Sequence, residues 1–527
     1  MWAILRGPCD ENLIRAGATI APCSASRGRW ILAGTILASS MAFIDSTVVN
    51  VALPALQTHL NATAIDVQWV VEAYSLLLSA FLLVGGSLGD HYGRRRIFLI
   101  GVTIFAIASA SCGLAANVAE LIVARAAQGF GAAMLVPGSL AIISSSFPEE
   151  ERGRAIGTWS AFSAIMTGIG PVLGGWLIEH VSWRAVFFIN LPIALVVLLI
   201  AFRHILETRE RESGRVDWLG AILVVFGLAG LVYGLIESSR AGFDEFAVIC
   251  TLSAGGVLLI AFLLVEWRSS HPMLPLVLFR SRSFAGTNLL TFLLYAALAG
   301  TLFFLPLNLI QVQHYSATGA GAALLPFILI MSLLSRWSGG LITRYGPKPP
   351  LVIGPLLAMA GYALFLLPTV GGNYWTHFFP PIAALGLGMA ITVAPLTTTV
   401  MSSVPQSRVG VASGVNNAIA RTAGLIAIAL LGTVMLHVFQ SELQRHLTNS
   451  KLPPAVIDSV RAQSATLAAI DVPKEADRAM QASIRRAIDE SFVAGFRAIM
   501  VMGAVLALGG AITALIFFRA RKRAGPG

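Results

Sequence analysis

Charge is scarce in this chain: 12% of its 527 residues are Asp, Glu, Lys or Arg, against about 25% in soluble domains. With 56% hydrophobic residues and a mean hydropathy of +0.78, that scarcity excludes a soluble protein. Cysteine is nearly absent too. Cys9, Cys23, Cys112 and Cys250 show neither metal-ligand nor disulfide spacing, and Cys112 and Cys250, inside apolar runs, read as packing residues. No metal site and no organic cofactor are expected. No Walker A sequence is present for ATP-driven pumping and no His-Glu-x-x-His for an intramembrane metalloprotease. Gly85 to Gly89 matches G-x-S-x-G, but that motif needs a strand-to-helix elbow, and here it ends an apolar run. The first 28 residues lack the apolar stretch of a secretory signal and read as a polar tail.

What is abundant is apolar sequence in long runs. A membrane helix needs about 20 mostly apolar residues. That window gives fourteen candidate spans, centred near residues 41, 78, 106, 131, 166, 193, 227, 256, 297, 330, 359, 388, 424 and 505. The seventh and eighth are the weakest, because Glu237, Arg240, Asp244 and Glu245 crowd their shared turn; twelve spans is the alternative count. The net charge of +10 does not mark a nucleic-acid partner, since the arginines sit at span ends rather than along a polar face. Fifteen Lys and Arg fall in the six loops on one side and two, Arg184 and Arg240, in the six short loops on the other. The positive-inside rule therefore places both termini in the cytoplasm.

The chain divides accordingly. Residues 1–29 form a tail, 30–202 a six-helix bundle, 203–283 a linker carrying spans 7 and 8, and 284–519 a second bundle, with 520–527 as a closing tail. The one long outer segment, 440–490, has Pro453 and Pro454 followed by apolar residues at helical spacing. It predicts short amphipathic helices forming a solvated cap. An internal repeat supports two halves: Gly339 to Lys348 echoes Gly86 to Arg96, with Gly346 matching Gly93 and Thr343 replacing Asp90.

Charges inside spans are the first functional candidates, because a carboxylate there costs roughly 2.5–3.5 kcal/mol on insertion scales. Span 1 carries Asp45 within Asp45-Ser-Thr-Val-Val-Asn50-Val-Ala-Leu-Pro54. Span 2 opens Trp69-Val-Val-Glu72-Ala-Tyr74, and span 4 reads Arg125-Ala-Ala-Gln128-Gly129-Phe-Gly131. At the helix rise, Asp45, Glu72 and Arg125 lie about 10, 6 and 9 Å from one membrane face. Mutual contact or a shared wet cavity is expected. Burial and a neighbouring arginine act in opposite directions on a carboxyl, which makes Asp45 a candidate proton carrier. In span 5, Gly170-Pro171-Val-Leu-Gly174-Gly175 allows close helix approach and a bend.

Between spans 2 and 3 lies Gly86-Ser-Leu-Gly-Asp90-His-Tyr-Gly93-Arg94-Arg95-Arg96. It resembles motif A of the major facilitator superfamily. Asp45 to Pro54 resembles motif D, Arg125 to Gly131 motif B, and Gly170 to Gly175 motif C, which is associated with antiporters. Together, over about residues 30 to 520, they are similar to the fourteen-helix drug:proton antiporter branch (EmrB/QacA-like). The resemblance implies an all-α integral membrane protein of the major facilitator fold, not an enzyme: two six-helix bundles plus two extra helices, working by alternating access. It implies export of amphipathic drugs driven by an inward proton, with the proton gradient as energy source and Asp45, Arg125 and Glu72 in proton coupling. Gly86, Asp90, Gly93, Arg94 and Arg95 would form the conformational latch. Gly170, Pro171, Gly174 and Gly175 would form the motif C contact, and Tyr74, Gln128, Asn416 and Arg421 would face the substrate. Phe292, Tyr295, Phe303 and Phe304 are expected on an apolar wall.

There are departures from the pattern. Met166 replaces the first glycine of motif C, Glu72 stands where many relatives have a neutral residue, and span 13 has no acid but carries Arg421. A dedicated exporter of one endogenous metabolite or lipid-like molecule is the alternative. Four lysines against thirty-two arginines point to a GC-rich bacterium, hence its cytoplasmic (inner) membrane. Whether a periplasmic adaptor joins the protein is left open by the sequence.

Overall fold

The computed structural model describes residues 25–209, 217–270, 272–405, 408–450, 452–473 and 477–518. Cys9, Cys23, Arg211, Arg215, residues 1–24 of the expected first tail and the closing tail 520–527 lie outside them, while residues 25–29 of the first tail are helical. Among the described residues the chain is helical, with no strand.

The helices that matter are α1 (Ala25–Leu60), α2 (Ala64–Tyr92), α3 (Arg94–Leu114), α4 (Val118–Ser146) and α5 (Glu149–His180). They continue with α6 (Asn190–His204), α7 (Trp218–Ala241), α8 (Phe246–Arg268), α9 (Arg282–Leu307) and α10 (Leu325–Gly339). The last four are α11 (Lys348–Leu364), α12 (Phe379–Ser402), α13 (Val409–Thr448) and α14 (Arg478–Phe517). Thirteen helical stretches among the described residues are long and apolar enough to cross a membrane. The remaining expected span, near residue 359, is α11, an apolar helix of 17 residues. The chain is a multi-pass integral membrane protein.

Local chemistry accounts for the helix ends. The Asn117 side chain accepts from the Glu120 N–H at 2.9 Å, while Glu120 reaches back to the Ala116 N–H, a reciprocal cap that starts α4. Ser281 caps α9 and Asp477 caps α14 in the same way. Prolines 54, 137, 171, 306, 355 and 395 sit inside helices, as membrane helices tolerate.

The chain forms two compact units. The first holds residues 1–49, 73–229 and 256–275, the second 50–72, 230–255 and 276–527, so α1, α2, α7 and α8 each contribute to both. In the first unit, α3 and α4 approach closely at glycines: a Cβ on Gly131 would stand 2.7 Å from the Phe105 backbone nitrogen. The α7–α8 hairpin closes on Gly227, whose added Cβ would meet Leu259 at 2.8 Å. Outward, α8 presents Phe246 and Trp267, 78% and 69% exposed, an apolar face that suits lipid.

In the second unit, α13 and α14 run 40 residues each. The expected run of short helices over 440–490 is therefore shorter than the sequence indicated. Met480, Ile484 and Ile488 belong to the start of α14, where Ile484 and Ile488 are fully buried. Continuous helical spacing across 478–490 lets a span grow outward instead of breaking. Between the long helices, a short helix at Pro454–Ala462 and a 3-10 turn at Ser464–Ala469 make the cap. Gln57 Nε2 donates to Thr466 O at 3.3 Å, Gln311 Nε2 to Gln57 Oε1 at 2.7 Å, and Arg485 reaches both Gln311 O and Ala468 O.

The repeat survives in the backbone. Gly93 has φ +111° and Gly346 φ +78°, each at the turn into the next helix. That region is open to glycine and strained for other residues.

Candidate functional site

Asp45 sits on α1 with no exposed surface, and Arg125 on α4 is 1% exposed. Arg125 Nη1 donates to Asp45 Oδ2 at 2.5 Å. The other carboxylate oxygen, Oδ1, accepts from Gln128 Nε2 at 2.7 Å and from Asn190 Nδ2 at 3.4 Å. Arg125 also donates to Gln128 Oε1 at 2.7 Å, one turn further along α4. Ser109 Oγ on α3 accepts from Asn190 Nδ2 and Gln128 Nε2 at 3.0 and 3.3 Å, and donates to Phe187 O at 2.8 Å. The guanidinium lies 4.2 Å from the centre of the Tyr74 ring, a cation–π contact strengthened by exclusion of water. Helices α4 and α6 thus meet the carboxylate carried by α1, with Ser109 of α3 bonded to two of its donors. Breaking such a buried pair from one side costs about 3–5 kcal/mol, so any change of charge on Asp45 must be answered by movement or a new partner.

Motif C supports this site directly. A Cβ on Gly170 would stand 2.1 Å from Thr47 Oγ1, and one on Gly174 would stand 2.2 Å from Val48 Cγ2. Thr47 Oγ1 also lies 3.2 Å from Thr167 O. Thus α5 presses on α1 two and three residues past Asp45. Pro171 and Gly175 are buried in the same stretch.

Glu72 is placed differently. It is fully buried, and neither carboxyl oxygen has a hydrogen-bonding partner among the described residues. Tyr74, two positions on, faces Arg125; residues two apart on a helix do not share a face. Equal depth along the membrane normal therefore did not imply contact.

The motif A turn is closed by charges. Arg94 Nη2 and Nε bond Asp90 Oδ1 at 2.7 and 2.8 Å. Glu207, just past α6, accepts from the Arg95 and Arg96 N–H groups at 3.0 and 3.1 Å, satisfying orphan donors at the start of α3. A Cβ on Gly93 would stand 2.5 Å from Glu207 Oε1. Arg95 Nη2 donates to Phe202 O at 3.0 Å. The tight helix approach belongs to Gly85, whose Cβ would meet Ala133 O at 2.1 Å, whereas Gly86 has only ordinary contact with Pro137.

In the second unit, Asn416 Nδ2 donates to Thr291 Oγ1 at 2.8 Å and Asn288 Oδ1 at 3.0 Å. Arg421 and Tyr295 are each half-buried. Phe303 and Phe304 are buried with ring centres 4.8 Å apart, and line a cleft with Gln57, Gln68 and Gly432; Phe292 is half-buried. Among the described residues no group of three or more His, Cys, Asp or Glu side chains is placed to hold a metal.

Sequence reasoning missed Ser109, Asn190 and Glu207. Asn190 carried a signal, an amide opening an apolar run. Ser109 carried none, since serine is common among small residues in membrane helices. Glu207 lies four labelled helices further along the chain than the glycine it contacts.

This arrangement has relatives. The chain is 35% identical over 495 residues to multidrug resistance protein Stp of Mycobacterium tuberculosis, covering 90% of each. It is 35% identical over 424 residues to a tetracenomycin C resistance and export protein of Streptomyces glaucescens, covering 80% of this chain and 78% of that one. Among solved structures, a bacterial homologue of the human lysosomal transporter Spinster, in an inward-facing and unoccupied conformation, superposes with a TM-score of 0.66 at 17% identity. That match covers 95% of this chain and all of that one, a likeness of fold. The Major Facilitator Superfamily profile matches residues 35–428, and with the helices and motif turns described above, the chain belongs to the major facilitator superfamily.

Proposed function

We propose that this protein is a proton-driven exporter of amphipathic small molecules, in keeping with relatives named for multidrug and antibiotic resistance. The observation that carries the reading is the buried Asp45–Arg125 pair with Gln128 and Asn190 on its free oxygen. Every group touching Asp45 there is a donor, so the ionised carboxylate is the form that fits. A proton arriving on Asp45 would neutralise the countercharge of Arg125, leaving a buried cation held by neutral groups such as Gln128 and Tyr74. The site then relaxes by shifting α1 against α4, and the glycine contacts at Gly170 and Gly174 carry that shift to α5. Proton binding and helix rearrangement are coupled by charge balance.

In this reading the proton gradient is the only energy source, and the protein is a transporter rather than an enzyme. Residues 30–202 and 284–519 form the two halves of an alternating-access machine in a bacterial inner membrane, with both termini cytoplasmic. Glu72, whose two oxygens have no hydrogen-bonding partner among the described residues, is a second place where a proton or a cationic substrate would be received. Asn416 and Arg421 supply polar contacts on the other half.

The test is reconstitution in proteoliposomes with an imposed pH gradient, reading substrate-triggered proton flux for a panel of amphipathic cations, anions and neutral compounds. Flux from several unrelated compounds, lost in Asp45→Asn, is expected. Flux from a single chemical class would instead mark a dedicated exporter, and flux surviving in Asp45→Asn would move the carrier role to Glu72.

A further inference from the structure

A second pair of carboxyl groups lies outside the site just described, at the open end of the α7–α8 hairpin. Asp217 caps α7: its Oδ1 accepts from the Gly220 N–H at 2.8 Å. Glu266, near the end of α8 and 2% exposed, accepts from the Leu274 N–H through Oε2 at 2.9 Å. Each carboxyl therefore has one oxygen satisfied by backbone. The other two, Asp217 Oδ2 and Glu266 Oε1, are buried, and no donor among the described residues reaches either. The two carboxyls nevertheless lie side by side over Gly220. Both orphan oxygens flank Gly220, where an added Cβ would stand 2.6 Å from one and 2.8 Å from the other. The missing side chain is what lets them meet.

Two ionised carboxylates so placed would repel each other with no donor between them, an arrangement interiors avoid. We propose that Asp217 and Glu266 share one proton, held between Asp217 Oδ2 and Glu266 Oε1, and that this proton clasps the hairpin's open end. Whichever oxygen carries it donates to the other, and all four oxygens are then satisfied. Loss of the proton turns the clasp into a repelling pair and parts α7 from the segment after α8.

The surroundings suit a proton. From the segment after α8 the Leu274 N–H faces Glu266, and from α7 Asp217 flanks it across Gly220. Arg268 and Arg280, the arginines nearest Glu266 in sequence, are exposed, and Arg215, two residues before Asp217, lies outside the described residues. From α2 and α3, the closest charged groups in sequence to the packing contacts are Asp90 and Arg94, bonded to each other. Glu207 is engaged with the α3 N-terminus. The clasp also has somewhere to act. Ala221 and Met273, each within seven residues of a clasp carboxyl, pack with Leu88 and Ile97, which bracket the motif A turn in sequence.

The proposal does not rest on the role given to Asp45, and its test reads protonation rather than transport. Infrared spectra of the full chain in liposomes would be compared for wild type, Glu266→Gln and Asp217→Asn, together with hydrogen exchange at the Gly220 and Leu274 amides. A neutral-carboxyl absorption is expected in wild type, titrating as one proton per chain and absent from both variants. Raising the pH should speed wild-type exchange about tenfold beyond its intrinsic chemistry, the scale of one lost hydrogen bond. In Glu266→Gln an amide replaces the shared proton as donor, so protection should persist and lose that pH dependence. Identical carboxyl spectra in all three proteins would overturn the proposal. So would protection that follows added sodium or calcium at fixed pH, which would make the pair a metal-ion site.

Discussion

Gln128 bridges Asp45 and Arg125: its amide nitrogen donates to one at 2.7 Å and its oxygen accepts from the other at 2.7 Å. A neutral side chain thereby orients both charges of the pair, and Gln128→Glu would place a second negative charge against Asp45. Export in that variant should fall about tenfold or more, given that charge-assisted hydrogen bonds contribute about 1.5–3 kcal/mol each. Gln128→Asn, which shortens the bridge, should retain part of the activity. Drug efflux from whole cells at matched expression checks both.

Tyr74 contributes its ring to Arg125 and, through its hydroxyl, a longer bond of 3.4 Å to Ala42 O. Tyr74→Phe keeps the ring and should leave thermal stability nearly unchanged. Tyr74→Leu removes the cation–π contact and should cost about 1–2 kcal/mol, seen as a lower unfolding midpoint in detergent.

Gly174 and Gly157 lie on one helix and give an internal comparison. A methyl on Gly174 would collide with Val48, whereas one on Gly157 meets nothing within 4 Å. Gly174→Ala should destabilise by about 1–3 kcal/mol and depress transport, while Gly157→Ala should be neutral or slightly stabilising. Thermal unfolding of the two variants side by side decides it.

How much of this was legible in the residues follows from what kind of information they hold. Helix positions were readable because a membrane span is a property of one continuous segment, and the described helices stand where the fourteen apolar runs lie. The meeting of Asp45 and Arg125 was readable because both charges are rare at that depth. That Glu72 has no hydrogen-bonding partner among the described residues was not, since depth fixes height and leaves rotation open. Neither Ser109 nor Glu207 could be found, because each acts on residues of another helix. Nothing local marks a serine or a loop glutamate as a partner.

Glu207 makes a further prediction. Glu207→Ala removes the acceptor for two backbone donors at the start of α3, and should cost about 1–2 kcal/mol at that helix end. Hydrogen exchange at the Arg95 and Arg96 amides should accelerate while exchange in the middle of α4 stays constant. Glu207→Gln should be intermediate.

At the outer cap, Gln57 links Gln311 to Thr466. Gln57→Ala should raise the labelling rate of a cysteine introduced at Ser464 by water-soluble maleimide several-fold. An unchanged rate would show that the 3-10 turn is held by the buried Leu467 rather than by the glutamine chain.

The 40-residue length of α13 and α14 reaches beyond the cap itself. At the helical rise each is about 60 Å long, whereas a bilayer with its headgroups is about 40–45 Å thick. Even allowing for tilt, a pair of helical turns stands clear of the lipid as rigid, water-facing structure. For a protein otherwise wrapped in hydrocarbon, that projection is a handle: an epitope a binding protein could grip without detergent, and a lever through which such a binder could hold the last two helices still.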